Sequence, residues 1–339
     1  MKGRRIVLDD WKGREAAALI VDGQLDDLLI DDTDAPRPGA IFRAIVDRTI
    51  KGQGGVFLRL PEGTAWLRSA RGLSPGQALL VQVTGVAEEG KAVPVTDRIL
   101  FKSRHAIVTP GAPGVNLSRR IDDEARDALK VLGLEAMEGS DMGLILRSSA
   151  EEADPADIAE DIADMRALAE AVTGDAAGRD PEALTEGDGP HAVAWREWRA
   201  DDVVTEAGGF EREGVREQIE ALGRPVVDLS PGSISVEPTR AFVAVDVNTG
   251  GDTSPAAALK ANIAAARILP RQLRLRGLGG QIVVDFAPMS KAHRKQVEQS
   301  LRAMFRADPV ETSLVGWTAM GLFELNRKRE RPALARLIR

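Results

Sequence analysis

The chain contains no cysteine, no tyrosine and only three histidines, at positions 105, 191 and 293. The first absence excludes disulfides, thiolate metal centres and cysteine nucleophiles. The scarcity of histidine argues against a multi-histidine zinc site, so any metal is expected to be a hard cation held by oxygen. No run approaches the roughly 18 consecutive apolar residues of a membrane span, so none is expected. The basic start at residues 1–10 lacks an apolar core of signal-peptide length, and a cytoplasmic protein is expected.

What is present describes a folded, soluble protein. Apolar residues make up 43% of 339, enough for two or three modest domains. The net charge of −7 does not by itself suggest a nucleic-acid partner, but binding follows local fields rather than the sum. Between Lys260 and Arg306 the chain carries ten Lys or Arg residues against two acids, Asp285 and Glu298. A basic segment of this kind points to a polyanion.

Two short hydrophobic runs each reach an aspartate. One is 241–248, with Asp246 and Asn248; the other is 281–286, with Asp285. The helical pattern between them predicts a strand–helix–strand crossover and a parallel pair, with functional groups at the carboxyl ends of the strands. A carboxylate ending a buried run is costly to desolvate without a partner, and two together make a divalent-metal site. Magnesium commonly takes one or two carboxylates plus phosphate oxygens and water, so Asp246 and Asp285 are candidate ligands and Asn248 a candidate orienting group. The bland alternative is that both aspartates are turn formers after their strands. The helix expected at about 291–306 starts with Lys291, His293, Arg294 and Lys295 after Ser290 as N-cap. Cations there oppose the helix dipole unless an external anion binds, making Lys291 and Arg294 candidate phosphate contacts. Arg267, Arg271 and Arg274 share one face of the preceding helix, expected at about 255–276, and Pro270 should kink it.

Elsewhere, residues 4–8 and 17–30 read as strands around a turn at Asp22-Gly23, and 31–39 as a polar, proline-rich linker. Five short strands (41–48, 55–60, 65–67, 78–86, 93–101) suggest a small barrel, with the OB-fold the natural candidate. Phe57 and Trp66 are its available aromatics, either as surface platforms or as core. Helices are expected at 119–132, after Asp154-Pro155, and at 211–222. Residues 173–190, rich in Gly, Asp, Glu and Pro, read as a mobile loop or linker. Strands are expected at 226–229 and 233–237, and a last one within 316–325.

The residues Ala244-Val245-Asp246-Val247-Asn248-Thr249-Gly250, then Arg271 to Gly280 (RQLRLRGLGG), then Ile282-Val283-Val284-Asp285-Phe286 closely resemble the catalytic core of the ribonuclease E/G family. More weakly, 17–30 resembles the family's opening strands, 39–100 its OB-fold insert, and Ser118-Arg119-Arg120-Ile121 with Gly143–Ser148 its 5′-sensor region. The resemblance implies a mixed α+β and α/β chain of several subdomains. These are an RNase H-like subdomain (1–35 and 191–240), split by an OB-fold RNA-binding insert (36–102) and a 5′-sensor region (103–190), then a DNase I-like catalytic subdomain (241–339). It implies a magnesium-dependent endoribonuclease that cleaves single-stranded RNA by phosphodiester hydrolysis and favours 5′-monophosphate ends. By position, Asp246 and Asp285 match the metal-binding aspartates and Asn248 the supporting asparagine. Arg147 and Ser148 match the 5′-phosphate pair, with Arg119 nearby; a charged fork plus a hydroxyl suits a terminal phosphate. Phe57 matches a base-stacking aromatic on the barrel, with Lys91 as a backbone contact.

The sequence also departs from the family pattern. Without cysteine there is no zinc-link, so no zinc-linked tetramer is expected, while a homodimer remains compatible. Pro288 stands where the family usually carries a further aspartate, residues 253–260 replace an acidic stretch, and serine replaces the sensor threonine. Two alternatives stand beside the nuclease: a catalytically weak RNA-binding relative, and a sugar-phosphate or nucleotide enzyme, which leaves the barrel unexplained.

Overall fold

The computed structural model describes residues 3–49, 54–68, 72–88 and 90–338. The chain divides into two compact units: residues 1–32 with 199–339, and the inserted residues 33–198.

The chain opens with a meander of β1 (Arg4–Trp11), β2 (Arg14–Val21) and β3 (Gln24–Ile30). Lys12-Gly13 and Asp22-Gly23 both have positive φ at each position, the two-residue turn whose twist matches a hairpin.

In the inserted unit β4 (Ile41–Thr49), β5 (Val56–Arg59), β6 (Thr64–Leu67), β7 (Ala78–Val83) and β8 (Val93–Thr96) run in the order β4-β5-β6-β8-β7, and β7 closes back on β4. With β6 and β8 parallel, this is a five-stranded OB-like barrel, as expected. Inward Val46, Leu58, Ala65, Val81 and Val95 fill it. The expected strand at 93–101 is interrupted. The Gln82 amide bonds both the N–H and the C=O of Leu100, and the chain leaves the barrel before β9 (Phe101–Lys102).

The second layer of this unit contains β10 (Ala106–Thr109), β11 (Gly114–Leu117), α1 (Asp123–Ala136), β12 (Gly143–Leu146) and α2 (Pro155–Gly174). Its sheet has the order β11-β12-β10-β9, with β11 and β12 parallel. The first helix begins four residues later than the 119–132 expected, because 114–117 is drawn into strand pairing and Ser118 N–H still bonds Leu146 C=O. Asp154 accepts from Ala156 N–H and Pro155 occupies the first turn of α2, as expected. Ile158, Ile162 and Val172 face the core.

The mobile-loop reading of 173–190 is corrected. The segment forms β13 (Glu182–Thr185), antiparallel to β4, and then α3 (Pro190–Glu197) begins. Composition concealed the partner. Arg43, almost buried on β4, donates to the carbonyls of Asp175 (2.6 Å) and Asp180 (3.0 Å) and to the Glu182 carboxylate.

Returning to the first unit, β14 (Asp202–Val204) pairs parallel with β1, giving the order β14-β1-β2-β3. The helix expected at 211–222 is two, α4 (Gly209–Arg212) and α5 (Val215–Ala221), because Gly214 adopts φ 64° between them. A six-stranded sheet follows. Its elements are β15 (Val226–Asp228), β16 (Ser233–Pro238), β17 (Val243–Asn248), α6 (Pro255–Leu275), β18 (Gly280–Asp285), α7 (Lys291–Ala307), β19 (Thr312–Trp317) and β20 (Phe323–Arg327), with α8 (Leu334–Leu337) last. The strand order is β15-β16-β17-β18-β20-β19. The single last strand expected within 316–325 is this hairpin, turned where Thr318 N–H bonds Leu322 C=O. Helix α6 is unbroken through Pro270. Helices α6 and α7 cover one face of the sheet: Ala261, Ala265, Leu269 and Leu273, with Val297, Leu301 and Phe305, meet Ile234, Val236, Val245, Val247, Ile282 and Val284. Each of the Val, Leu, Ile and Phe side chains among them contributes about 1.5–3 kcal/mol by leaving water.

Candidate functional site

The alternation that buries Val243, Val245 and Val247 turns Asp246 and Asn248 to the opposite face of β17; the same alternation on β18 turns Asp285 there. β17 and β18 are parallel, as expected, and their register places Asp246 opposite Asp285. Neighbouring strands lie about 4.8 Å apart, so the two carboxylates are side by side. Contrary to expectation, these carboxylates are not desolvated: both side chains are exposed, and their cost is mutual repulsion. That is about 1 kcal/mol in water-like surroundings. Neither forms an ion pair with Lys or Arg among the described residues. Asn248 Nδ2 donates to Asp246 Oδ2 at 2.6 Å, which fixes that carboxylate's orientation. On the other side, Ser235 is the cross-strand partner of Asp246 and donates to Glu237 at 2.6 Å.

Two exposed oxygen donors in register, with no cation bonded to them, fit a hard divalent ion that takes its remaining ligands from water and phosphate. No group of three His, Cys, Asp or Glu able to hold a metal occurs among the described residues. An ion held by this pair would rest on an open platform rather than in a closed cage. Ser254 and Ser290 cap α6 and α7 immediately after β17 and β18, so both helix N-termini lie at the strand-end edge where the aspartates sit. In the first turn of α7, Lys291 is exposed, whereas the Arg294 guanidinium lies 4.8 Å from the Trp317 ring centre.

Other parts of the basic segment are structural. Arg274 is buried and bonds Asp308 and the Asp26 carbonyl; Arg276 is buried against Gln272 and the Arg224 carbonyl. Of the three arginines expected to share one face of α6, Arg267 is exposed, Arg271 is partly buried and Arg274 is buried. Sequence reasoning also missed Asn262. It is fully buried on α6, and its amide donates to and accepts from Ala287 backbone at 2.9 and 3.0 Å. It clamps the turn just after Asp285, and the signal was a lone amide in an alanine-rich helical stripe.

In the inserted unit the sequence-predicted residues fall in two places. On the barrel, Phe57 and Trp66 are cross-strand partners with ring centres 4.9 Å apart, and Arg48 stacks over Phe57 at 5.1 Å. Both rings are half-buried on the outer side of strands whose alternate residues fill the core. Gly55 permits this: a Cβ there would meet the Trp66 ring at 2.3 Å. Lys91 is exposed and paired with Glu88 at 2.7 Å. In the second layer, Arg119 and Arg147 follow the ends of the parallel strands β11 and β12, whose last residues, Leu117 and Leu146, are in register. Arg119 is exposed. Arg147 donates to Ser103 C=O at 2.7 Å and to Glu197 at 2.5 Å, and Ser148 begins a short 3₁₀ turn. Burial pushes the Glu197 carboxyl upward, but Arg147 and Arg196 outweigh it and hold it below the ordinary glutamate range.

The family model of the Ribonuclease E/G family matches residues 101–205 and 202–330, well over half of the sequence. This chain belongs to the ribonuclease E/G family. Ribonuclease E of Nostoc sp. (strain PCC 7120 / SAG 25.82 / UTEX 2576) is 30% identical over 376 residues, covering 93% of this chain and 54% of the relative. Ribonuclease G of Escherichia coli (strain K12) is 30% identical over 307 residues, covering 78% and 62%. Ribonuclease E of the same strain is 29% identical over 306 residues, covering 77% and 29%. The chain spans between about a third and two thirds of the length of these curated relatives. For this member of the family, no helix among the described residues is long and apolar enough to cross a membrane.

Proposed function

We propose that the chain is an endoribonuclease acting on single-stranded RNA, with magnesium at Asp246 and Asp285. The observation that carries this reading is the pair itself: two exposed carboxylates in register on parallel strands, one oriented by Asn248, neither in an ion pair with Lys or Arg among the described residues. A magnesium ion there would polarise a phosphoryl group and make a bound water more nucleophilic. Asn248 holds Asp246 in place, and Asn262 fixes the turn that follows Asp285. Lys291, in the first turn of α7, is placed to attract phosphate. The Phe57–Trp66 pair offers bases a π surface, a sequence-tolerant way to hold single strands.

Preference for a 5′-monophosphate is assigned to Arg147, with Ser148 and Arg119 beside it. In the same reading, the β14-β1-β2-β3 sheet belongs to the RNase H-like subdomain (1–35 and 191–240) and β17, β18, β19 and β20 with α6 and α7 to the DNase I-like one (241–339), with β15 and β16 of the former extending the latter's sheet. A homodimer is compatible with it.

The test compares cleavage of a 5′-monophosphorylated single-stranded RNA by wild type, Asp246→Asn and Asp285→Asn, with and without magnesium. Magnesium-dependent cleavage by wild type alone supports the reading. Binding without cleavage above the variants leaves an RNA-binding relative instead, and absence of both binding and cleavage removes both readings.

A further inference from the structure

We propose that Glu197 determines how strongly the chain discriminates between RNA 5′ ends, by competing with a terminal phosphate for Arg147. The inference rests on the reading of Arg147 as the end-binding group and adds a residue and a direction of effect that this reading does not contain.

Asp188, Arg196, Glu197 and Arg147 form a ladder of charges. Asp188 bonds Arg196. Arg196 Nε bonds one oxygen of Glu197 at 2.8 Å, and the other oxygen accepts from Arg147 at 2.5 Å. The four charges alternate in sign and cancel. Ser103 C=O occupies a further N–H of Arg147. The guanidinium offered to a phosphate is therefore already engaged by one oxygen of a carboxylate, an anionic acceptor of the kind a phosphate would supply. Glu197 remains charged at neutral pH, because its two arginines outweigh its burial.

Glu197 is not a loose side chain that drifts away from Arg147. It ends α3, whose neighbouring Trp195 is anchored: Arg104 donates to the Trp195 carbonyl at 2.5 Å and lies 4.4 Å from its ring centre. The Arg104 carbonyl in turn accepts from Ser149, two residues from Arg147. The strand end that carries Arg147 and the helix that carries Glu197 are thus tied together independently of the ion pair. When the carboxylate is displaced, it retains Arg196 as a partner, so displacement leaves no stranded charge.

A 5′-monophosphate carries more charge than one carboxylate and can take Arg147 from Glu197. Part of its binding gain is consumed in doing so, while a 5′-hydroxyl end gains nothing from Arg147 in either case. Glu197 therefore reduces the advantage of phosphorylated ends, and removing its charge should raise that advantage.

The experiment measures kcat/KM for matched 5′-monophosphate and 5′-hydroxyl RNAs with wild type, Glu197→Gln, Arg147→Ala and the double variant. Affinities for the same two RNAs are measured by fluorescence anisotropy in calcium, without turnover. Glu197→Gln should raise the monophosphate-to-hydroxyl ratio about tenfold, the scale of one charge-assisted hydrogen bond. Arg147→Ala and the double variant should both give a ratio near one. Should Glu197→Gln lower the ratio or leave it unchanged while Arg147→Ala lowers it, Glu197 positions Arg147 and the competition is refuted. If Arg147→Ala changes nothing, the end-binding assignment fails and the inference with it. Absence of cleavage by every protein would count against the nuclease reading, while the anisotropy ratios would still decide the role of Glu197. Thermal unfolding of each variant, with Glu197→Ala as a second replacement, separates misfolding from a change in recognition.

Discussion

The carboxylate pair on β17 and β18 and the arginine site after β12 handle charge in opposite ways. Asp246 and Asp285 stand side by side and form no ion pair with Lys or Arg among the described residues, so their mutual repulsion is left in place. Arg147 and Arg196 are each met by an acid, so the site after β12 is neutral until something breaks it. The first arrangement is ready for a ligand of opposite sign; the second must exchange one partner for another. A third set, in the same unit as the aspartate pair, joins three arginines to three acids: Asp308 bonds Arg274 and Arg327, Asp27 bonds Arg331, and Asp26 lies 3.3 Å from Arg274.

The contrast predicts where a lost carboxylate harms the fold and where it harms only chemistry. Asp308→Ala leaves Arg274 and Arg327 buried without their shared partner and should cost about 3–5 kcal/mol, read by chemical or thermal unfolding. A loss below about 1 kcal/mol would mean that these arginines find other acceptors. Asp246→Asn and Asp285→Asn should lower kcat by about 10²–10³, the usual loss when one transition-state charge stabiliser is removed. The same variants should unfold at the wild-type temperature or slightly above it, since repulsion is relieved, and should lose the stabilisation that wild type gains from added magnesium chloride. A marked fall in melting temperature would show that the pair has a structural task.

Phe57→Ala should weaken single-stranded RNA binding by about 1–3 kcal/mol in a titration, with little dependence on sequence. Equal affinity would identify the Phe57–Trp66 pair as part of the barrel's packing. The smallest effect concerns acid stability. Burial pushes the Asp27 carboxyl up, but Arg331 and Arg274 outweigh it and hold it below the ordinary range. A depressed native pKa stabilises the fold above the unfolded value, about 3.9. That contribution is lost as pH falls from there through the depressed value. An unfolding series across this interval should show the decline, and Asp27→Asn should flatten it.

Local patterns made much of the architecture readable. Hydrophobic runs that reach an aspartate marked β17 and β18, Asp22-Gly23 marked one hairpin turn, and Asp154 and Ser290 marked helix starts. The aspartate pair was readable because parallel pairing plus alternation puts Asp246 and Asp285 on one face without knowledge of any distant residue. What escaped depends on partners far along the chain. Strand β13 exists because Arg43, more than 130 residues earlier, binds its approach. Asn262 matters through Ala287, and Glu197 through Arg147. The break between α4 and α5 was closer to hand, in a glycine whose positive φ the helical pattern does not reveal.

Strand β13 carries a practical consequence for anyone who wants the barrel as a portable cassette. Trimmed after residue 102, such a fragment would keep its five strands yet bare the edge of β4 at Ile41–Arg43 and remove three acceptors of the Arg43 guanidinium. The seam along which this module can be cut lies beyond Thr185, so a graft or a truncation series should be planned from strand pairing rather than from the linear order of the sequence.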